Sequence, residues 1–185
     1  MKQLVCMVEE ASMRPVIEAL LEQLLPQEIE SIILVHQGKQ DLQKSIPRKL
    51  RTWINPEARF IILHDQDSSD CKRLKRELRD LCPPDKEHQV LIRIVCTELE
   101  SWFFGDLVAV ESAFPNKKLR MLATKAKYRI PDAMRSPAKE LEKLIPEYQK
   151  VGGARAIAPF LDLERNTSSS FQVFVTGVQR LLAEQ

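Results

Sequence analysis

Four short apolar runs alternate with helical stripes over the first half of the chain, and that alternation leaves few folds open. The runs are residues 3–8, 31–36, 59–64 and 89–96. Between the first two, Val16, Ile17, Leu20, Leu21 and Leu24 recur at helical spacing up to Pro26. Leu42, Ile46, Leu50 and Trp53 do the same after Gly38, and Leu74, Leu78 and Leu81 do so up to Pro83-Pro84. Strands separated by helices need crossover connections, so they lie parallel in one sheet with right-handed crossovers. The expected fold class is therefore α/β, a four-stranded and mainly parallel sheet with flanking helices. Ser12 is the expected N-cap of the first helix and Ser68 or Ser69 that of the third. Pro47 is expected to split the second into two pieces, because its ring removes one helical hydrogen bond.

Beyond Glu98 no further strand pattern follows. The segments are short helices separated by prolines: Trp102 to Phe114, Leu119 to Ala126, Pro137 to Ile145 behind Ser136 as N-cap, Val151 to Ala158, and Ser169 to Ala183. A length of 185 residues suits one domain with an appendage. The expected division is an α/β core over residues 1–105 and a C-terminal helical cap over residues 106–185 packed on it.

Three of the strand-like runs pass directly into paired carboxylates. QLVCMV leads to Glu9 and Glu10, RFIILH to Asp65-Gln66-Asp67, and VLIRIVCT to Glu98-Leu99-Glu100. Ligand sites of open parallel sheets lie beyond the carboxyl ends of the strands. The three acidic pairs should meet at one edge, where a hard cation makes such charge tolerable. Asp65 and Asp67, two apart at a strand end, point the same way and can reach one ion. Magnesium takes one or two carboxylates, keeps several waters and is completed by phosphate oxygens. Glu9 or Glu10 would complete the shell or act as general acid/base, and Glu98 and Glu100 would bridge a second ion. Lys39, in His36-Gln37-Gly38-Lys39, adds a cation where glycine lets backbone amides approach an anion. Each element also has a plainer account. Asp-Gln-Asp-Ser-Ser is good turn chemistry, Glu9-Glu10 suits the approach to a helix N-terminus, His64 reads as a satisfied core histidine, and the serines at 168–170 read as helix caps.

The formal net charge of +2 does not announce a nucleic-acid binder, but its distribution is uneven. Lys44 to Arg51 holds four basic residues, Lys72 to Arg79 five, and Lys117 to Arg129 six. The four cysteines lack zinc-finger spacing and read as reduced, mostly buried thiols of a cytoplasmic protein. No signal-peptide layout opens the chain and no run has membrane-spanning length, so no membrane association is expected.

Order along the chain separates the carboxylate–metal folds. A haloacid-dehalogenase-type phosphatase needs Asp-x-Asp after the first strand, where Glu9-Glu10 stands. A metal-ion-dependent adhesion site wants serine at position 67. A Walker-type loop is absent. A response-regulator receiver needs a fifth strand ending in lysine, which is not found.

Glutamate after the first strand and Asp-x-Asp after the third resembles the arrangement of Toprim domains, found in topoisomerases, primases and overcoming-lysogenization-defect-type nucleases. More narrowly, the chain resembles a bacterial Toprim-like domain-of-unknown-function family, often encoded beside AAA-type ATPases in phage-defence loci. Six motifs carry the resemblance across nearly the whole chain. They are V-E-E-x-S-M (Val8 to Met13), H-Q-G-K-x-D-L (His36 to Leu42), D-Q-D-x-x-D-C (Asp65 to Cys71), R-I-x-C-x-E-L-E-x-W-F-x-G-D (Arg93 to Asp106), G-A-x-x-I-A-P (Gly153 to Pro159) and N-x-S-x-S-F (Asn166 to Phe171). The resemblance implies Glu9 or Glu10 as the general acid/base and Asp65 and Asp67 as metal ligands, with Glu98 and Glu100 where related nucleases add acidic residues. One departure stands out: many Toprim domains have glycine after the glutamate, and here Glu10 follows Glu9.

The expected activity is hydrolysis of DNA or RNA phosphodiesters with Mg or Mn, with Lys39 and the basic helices holding the backbone. The competing expectation is a metal-binding partner or sensor subunit of an AAA-type ATPase. Oligomeric state does not follow from these residues.

Overall fold

The computed structural model describes residues 3–183. Strands β1 (Gln3–Val8), β2 (Glu30–Val35), β3 (Arg59–Asp65) and β4 (Val90–Val95) form one sheet in the order β2-β1-β3-β4, with every pairing parallel. Helices α1 (Met13–Leu24), α2 (Lys39–Thr52) and α3 (Cys71–Asp80) make the crossovers. The chain leaves β1 in one direction to reach β2 and returns past it to β3. The reversal opens between β1 and β3, the place where such sheets put their ligands.

Alternation along the strands divides the core into two layers. Val5, Met7, Phe60, Ile62, Ile92 and Ile94 pack with Leu42, Ile46 and Leu50 of α2 and Leu74 and Leu78 of α3. Leu4, Cys6, Val8, Ile61, Leu63 and Val95 face α1 and the helices that follow β4. Those are α4 (Glu100–Gly105), α5 (Leu107–Ala113), α6 (Pro137–Leu144), α7 (Lys150–Ile157) and α8 (Ser169–Ala183), joined in part by 3-10 turns. Trp102 anchors them, its ring 5.2 Å from Phe171 and 5.3 Å from Phe174 between ring centroids. All four cysteines are unpaired, and burial pushes the Cys6 thiol up to about 12. Among the described residues no helix is long and apolar enough to cross a membrane.

Local signals misplace several boundaries. Helix α2 runs unbroken through Pro47, because Leu42, Ile46 and Leu50 are fully buried on both sides of it and hold the turn despite the missing hydrogen bond. Ser12 makes no cap bond to α1; its hydroxyl instead donates to Glu10. Asp70, not Ser68 or Ser69, caps α3 by accepting from the Arg73 amide at 2.7 Å. The helix expected over 102–114 breaks at Asp106, whose carboxylate caps α5 through the Ala109 amide. The helix expected over 119–126 is instead the 3-10 turns Arg120–Thr124 and Ala126–Tyr128, the first of which buries no residue and so has no apolar stripe to lengthen it. Ser168 does cap α8, accepting from the Phe171 amide at 3.2 Å.

Candidate active site

The register that pairs Val8 with Leu63 brings Glu9, the first residue beyond β1, beside the end of β3. Glu9 Oε2 accepts the Asp65 amide at 3.0 Å and His64 Nδ1 at 2.9 Å. The same nitrogen lies 2.5 Å from the Asp65 carbonyl, and since both neighbours are acceptors, Nδ1 carries the proton. Burial pushes the Glu9 carboxyl up, but the hydrogen bond and charge of His64, with the Asp65 amide and Lys39, outweigh it and hold Glu9 below the usual range. His64 responds in the opposite sense. Burial alone would lower it, and Glu9 raises it above an ordinary imidazole. His64 is therefore a member of the site rather than a core filler. Its place directly before the Asp-x-Asp was the available signal.

Asp65 is only 5% exposed, and its Oδ1 is buried without a hydrogen-bond partner. Burial, then the charges of Glu10, Glu9 and Glu100, hold its carboxyl well above the ordinary aspartate value, with Lys150 pulling the other way. Glu100, fully buried at the start of α4, accepts the Tyr148 hydroxyl at 2.9 Å through Oε1 and leaves Oε2 unpartnered. Burial raises its carboxyl too, against the opposing charge of Lys150. Glu10 receives Lys150 Nζ on both oxygens, at 3.0 and 2.9 Å. The charges of Glu9, Glu10 and Glu100 thus all act on Asp65, with Lys150 opposing them.

Tyr148, in the connection between α6 and α7, and Lys150, the first residue of α7, were not read as site residues. The stretch Lys150-Val151-Gly152-Gly153-Ala154 holds two adjacent glycines. Gly153 explains part of its composition: a Cβ there would come within 2.2 Å of the Tyr148 ring, so glycine lets the ring lie on α7 and send its hydroxyl to Glu100.

The remaining candidates lie at the rim. Asp67 is half-exposed, and its Oδ2 is 3.7 Å from Lys39 Nζ, the first residue of α2. Gly38 before it, at φ 89°, occupies the left-handed region that glycine enters freely, and its amide donates to the Glu9 carbonyl at 2.9 Å. Asp67 and Thr97 also have positive φ, 51° and 64°, and their backbones meet where the Asp67 amide donates to the Thr97 carbonyl at 2.9 Å. A β-branched residue in that region is strained, and such strain gathers at working sites. Glu98 is not among the charges acting on Asp65. Its Oε2 accepts the Ala138 amide at 3.0 Å and caps α6, a bond the Ser136 side chain does not make. Asp106 is buried and bound bidentately by Arg165, at 2.8 Å for each oxygen.

A divalent cation suits this donor set. Two buried carboxylate oxygens, Asp65 Oδ1 and Glu100 Oε2, have no donor facing them, and like charges surround Asp65. Among the described residues no three His, Cys, Asp or Glu side chains are gathered as a ready-made ligand group.

The fold recurs in solved structures. The chain is similar to the C-terminal region of the Burkholderia pseudomallei OLD protein, with TM-score 0.60 and 16% identity over 96% of this chain and 97% of that one. It is similar to the C-terminal region of the Xanthomonas campestris pv. campestris OLD protein, with TM-score 0.57 and 16% identity over 98% and 96%. Identity this low shows the fold alone, a Toprim-like four-stranded parallel sheet with flanking helices. No curated protein matches the sequence. The family described as Domain of unknown function (DUF4276) matches residues 8–179, and the chain belongs to it.

Proposed function

We propose that the chain hydrolyses phosphodiester bonds of DNA or RNA with Mg or Mn. The observation that carries this reading is Asp65, a buried aspartate with an unpartnered oxygen at the β1/β3 switch point, ringed by Glu9, Glu10 and Glu100. Asp65 and Asp67 would hold the cation with help from Glu9, Glu10 or Glu100, and when bound it supplies Lewis acidity toward a phosphate oxygen. Glu9 is held by His64 and the Asp65 amide through Oε2, which fixes the orientation of Oε1. That oxygen is the one suited to take a proton from the attacking water or return it to the leaving oxygen. Lys39, beside Asp67 at the mouth, meets a phosphate as a point charge. Glu98 serves by fixing α6 against the loop after β4.

One observation favours a second reading. Lys150 already places a positive charge on Glu10, as a site does that has replaced its metal by an ammonium group. In that case the chain is a non-catalytic partner or sensor subunit of an AAA-type ATPase.

Incubation of the purified protein with plasmid, single-stranded DNA and RNA, with and without Mn or Mg, separates the two. Nicking or cleavage that needs metal and falls by more than ~100-fold in Glu9→Gln and Asp65→Asn is expected, a loss typical of removing one essential electrostatic group. Cleavage by Asp65→Asn at the wild-type rate would falsify the metal assignment. Silence on every substrate, with tight capture of an ATPase, selects the partner reading.

A further inference from the structure

Beside the acidic edge lies a groove of about 410 Å³ lined by Lys127, Ala133, Met134, Arg135, Ser136, Lys139, Glu140 and Lys143. Its walls are the turn Pro131–Ala133 and the first turns of α6. Four cations face one carboxylate there. That carboxylate is already engaged, since Glu140 receives Lys127 at 2.5 Å and the Tyr128 hydroxyl at 2.7 Å. Arg135, Lys139 and Lys143 are exposed and make no ion pair among the described residues. Four cations against the one Glu140, whose charge also acts on Lys143, leave the concavity net positive, and such a field attracts an anion. The amide at the start of α6 is not an anion site, being occupied by Glu98, but the exposed Ser136 hydroxyl makes no cap bond and is free to donate.

The groove is fixed to the candidate active site by a short chain of hydrogen bonds. Thr97 Oγ1 donates to the Met134 carbonyl at 2.9 Å, and the Thr97 carbonyl accepts the Asp67 amide at 2.9 Å. One strained residue therefore joins the groove wall to the Asp-x-Asp. A polyanion lying along α6 is led toward Asp67 and Lys39.

Resting on the phosphodiesterase reading, we propose that this groove binds the sugar–phosphate backbone of one nucleic-acid strand and delivers it to the acidic edge. Spaced cations with a hydroxyl and no aromatic platform suit contacts to phosphates rather than to bases, so recognition there is independent of sequence.

The test is anisotropy binding of labelled 20-nucleotide single-stranded DNA and RNA in EDTA over a range of salt. It uses wild type, the triple variant Arg135→Gln/Lys139→Gln/Lys143→Gln, and a control, Arg14→Gln/Arg155→Gln/Arg180→Gln, which removes as many exposed charges outside the basic clusters. All six side chains are exposed, so both variants fold. The groove variant is expected to bind ~30-fold more weakly, with its log–log salt slope reduced by about 2, three single-strand phosphate contacts at ~0.7 each. The control is expected to stay within ~3-fold of wild type. Equal losses in both variants would mean diffuse charge attraction and overturn the groove. So would undiminished binding by the groove variant, or no binding by wild type. Manganese-dependent hydrolysis of bis(p-nitrophenyl) phosphate by the same wild-type preparation reads the catalytic proposal separately. Small-diester cleavage without strand binding removes the groove and keeps the phosphodiesterase, whereas strand binding without any cleavage does the reverse.

Discussion

Asp65 and Asp106 are both buried aspartates, 5% and 2% exposed, and the protein treats them in opposite ways. Asp106 accepts Arg165 on both oxygens, the Ala109 amide at 3.1 Å and the Asp162 amide at 3.1 Å. Its charge is neutralised and its lone pairs are filled, so it ties the start of α5 to the loop before α8. Asp65 has an empty oxygen and three carboxylates for neighbours. Burying an uncompensated charge costs several kcal/mol. Nothing in the sheet requires aspartate at the end of β3. The contrast separates an acid that holds the fold from one that the fold holds against its own stability, and perturbed groups of the second kind mark functional sites.

Substitution gives the two aspartates opposite signs. Asp106→Ala strips Arg165 and two amides of their acceptor and is expected to lose about 2–4 kcal/mol; the half-exposed Arg165 keeps water as a substitute, which places the loss below that of a wholly buried pair. Asp65→Asn in metal-free protein removes a carboxyl whose ionisation burial and its acidic neighbours oppose and is expected to gain on the order of 1 kcal/mol, while cleavage is lost. Urea unfolding of both variants reads the difference directly. Equal destabilisation by the two would erase the contrast and make Asp65 a structural residue like Asp106.

Metal addition sharpens it further. A cation that binds only the folded chain adds about 2.7 kcal/mol at a hundredfold excess over its Kd. Mn is expected to raise the thermal midpoint of wild type and of Asp106→Ala alike, and to leave Asp65→Asn where it was. A rise in Asp65→Asn equal to that of wild type would locate the ion elsewhere.

Much of this was legible in the chain because strands and their ends are local. Continuous apolar runs and the acids that follow them needed no tertiary information, and parallel pairing then brings Glu9 to Asp65. The parallel sheet expected from the alternation agrees with the fold, and so does the Toprim-like resemblance. Helix caps were less legible, because the donor's best partner is chosen in space: Ser12 turns to Glu10, and α6 is capped by Glu98 from forty residues away. Lys150 and Tyr148 were hidden for the same reason. Their contacts to Glu10 and Glu100 span 140 and 48 residues, and no local pattern announces a lysine that will sit among acids. The basic groove falls between these cases, since its lysines were visible as charge while its concavity needed the turns between α5 and α6.

The smallest expected effect is on pH, and it tests the electrostatics alone. Asp65 and Glu100 have carboxyls raised above their unfolded values, so between those two limits the folded chain holds more protons than the unfolded one. Stability then falls as pH rises. His64 is raised as well; its contribution is full below the ordinary imidazole value near ~6.5 and is lost as pH climbs through the higher folded value. Glu9 runs the other way, because its lowered carboxyl contributes stability above the ordinary value near ~4.3 and loses it only in stronger acid. Above the ordinary glutamate value Glu9 is silent; Asp65 and Glu100 set the slope first, and His64 joins only above ~6.5. In chelator, the urea midpoint of wild type should therefore decline from about pH 5 to pH 8. The decline should be shallower in Asp65→Asn and cancelled by saturating Mn, which prefers the ionised carboxylates. Asp106→Ala, shifted to lower stability throughout, should keep the wild-type slope. A wild-type midpoint that rises across this range would mean that Asp65 and Glu100 are ionised and compensated in the folded protein, and the two buried aspartates would then differ in nothing but their partners.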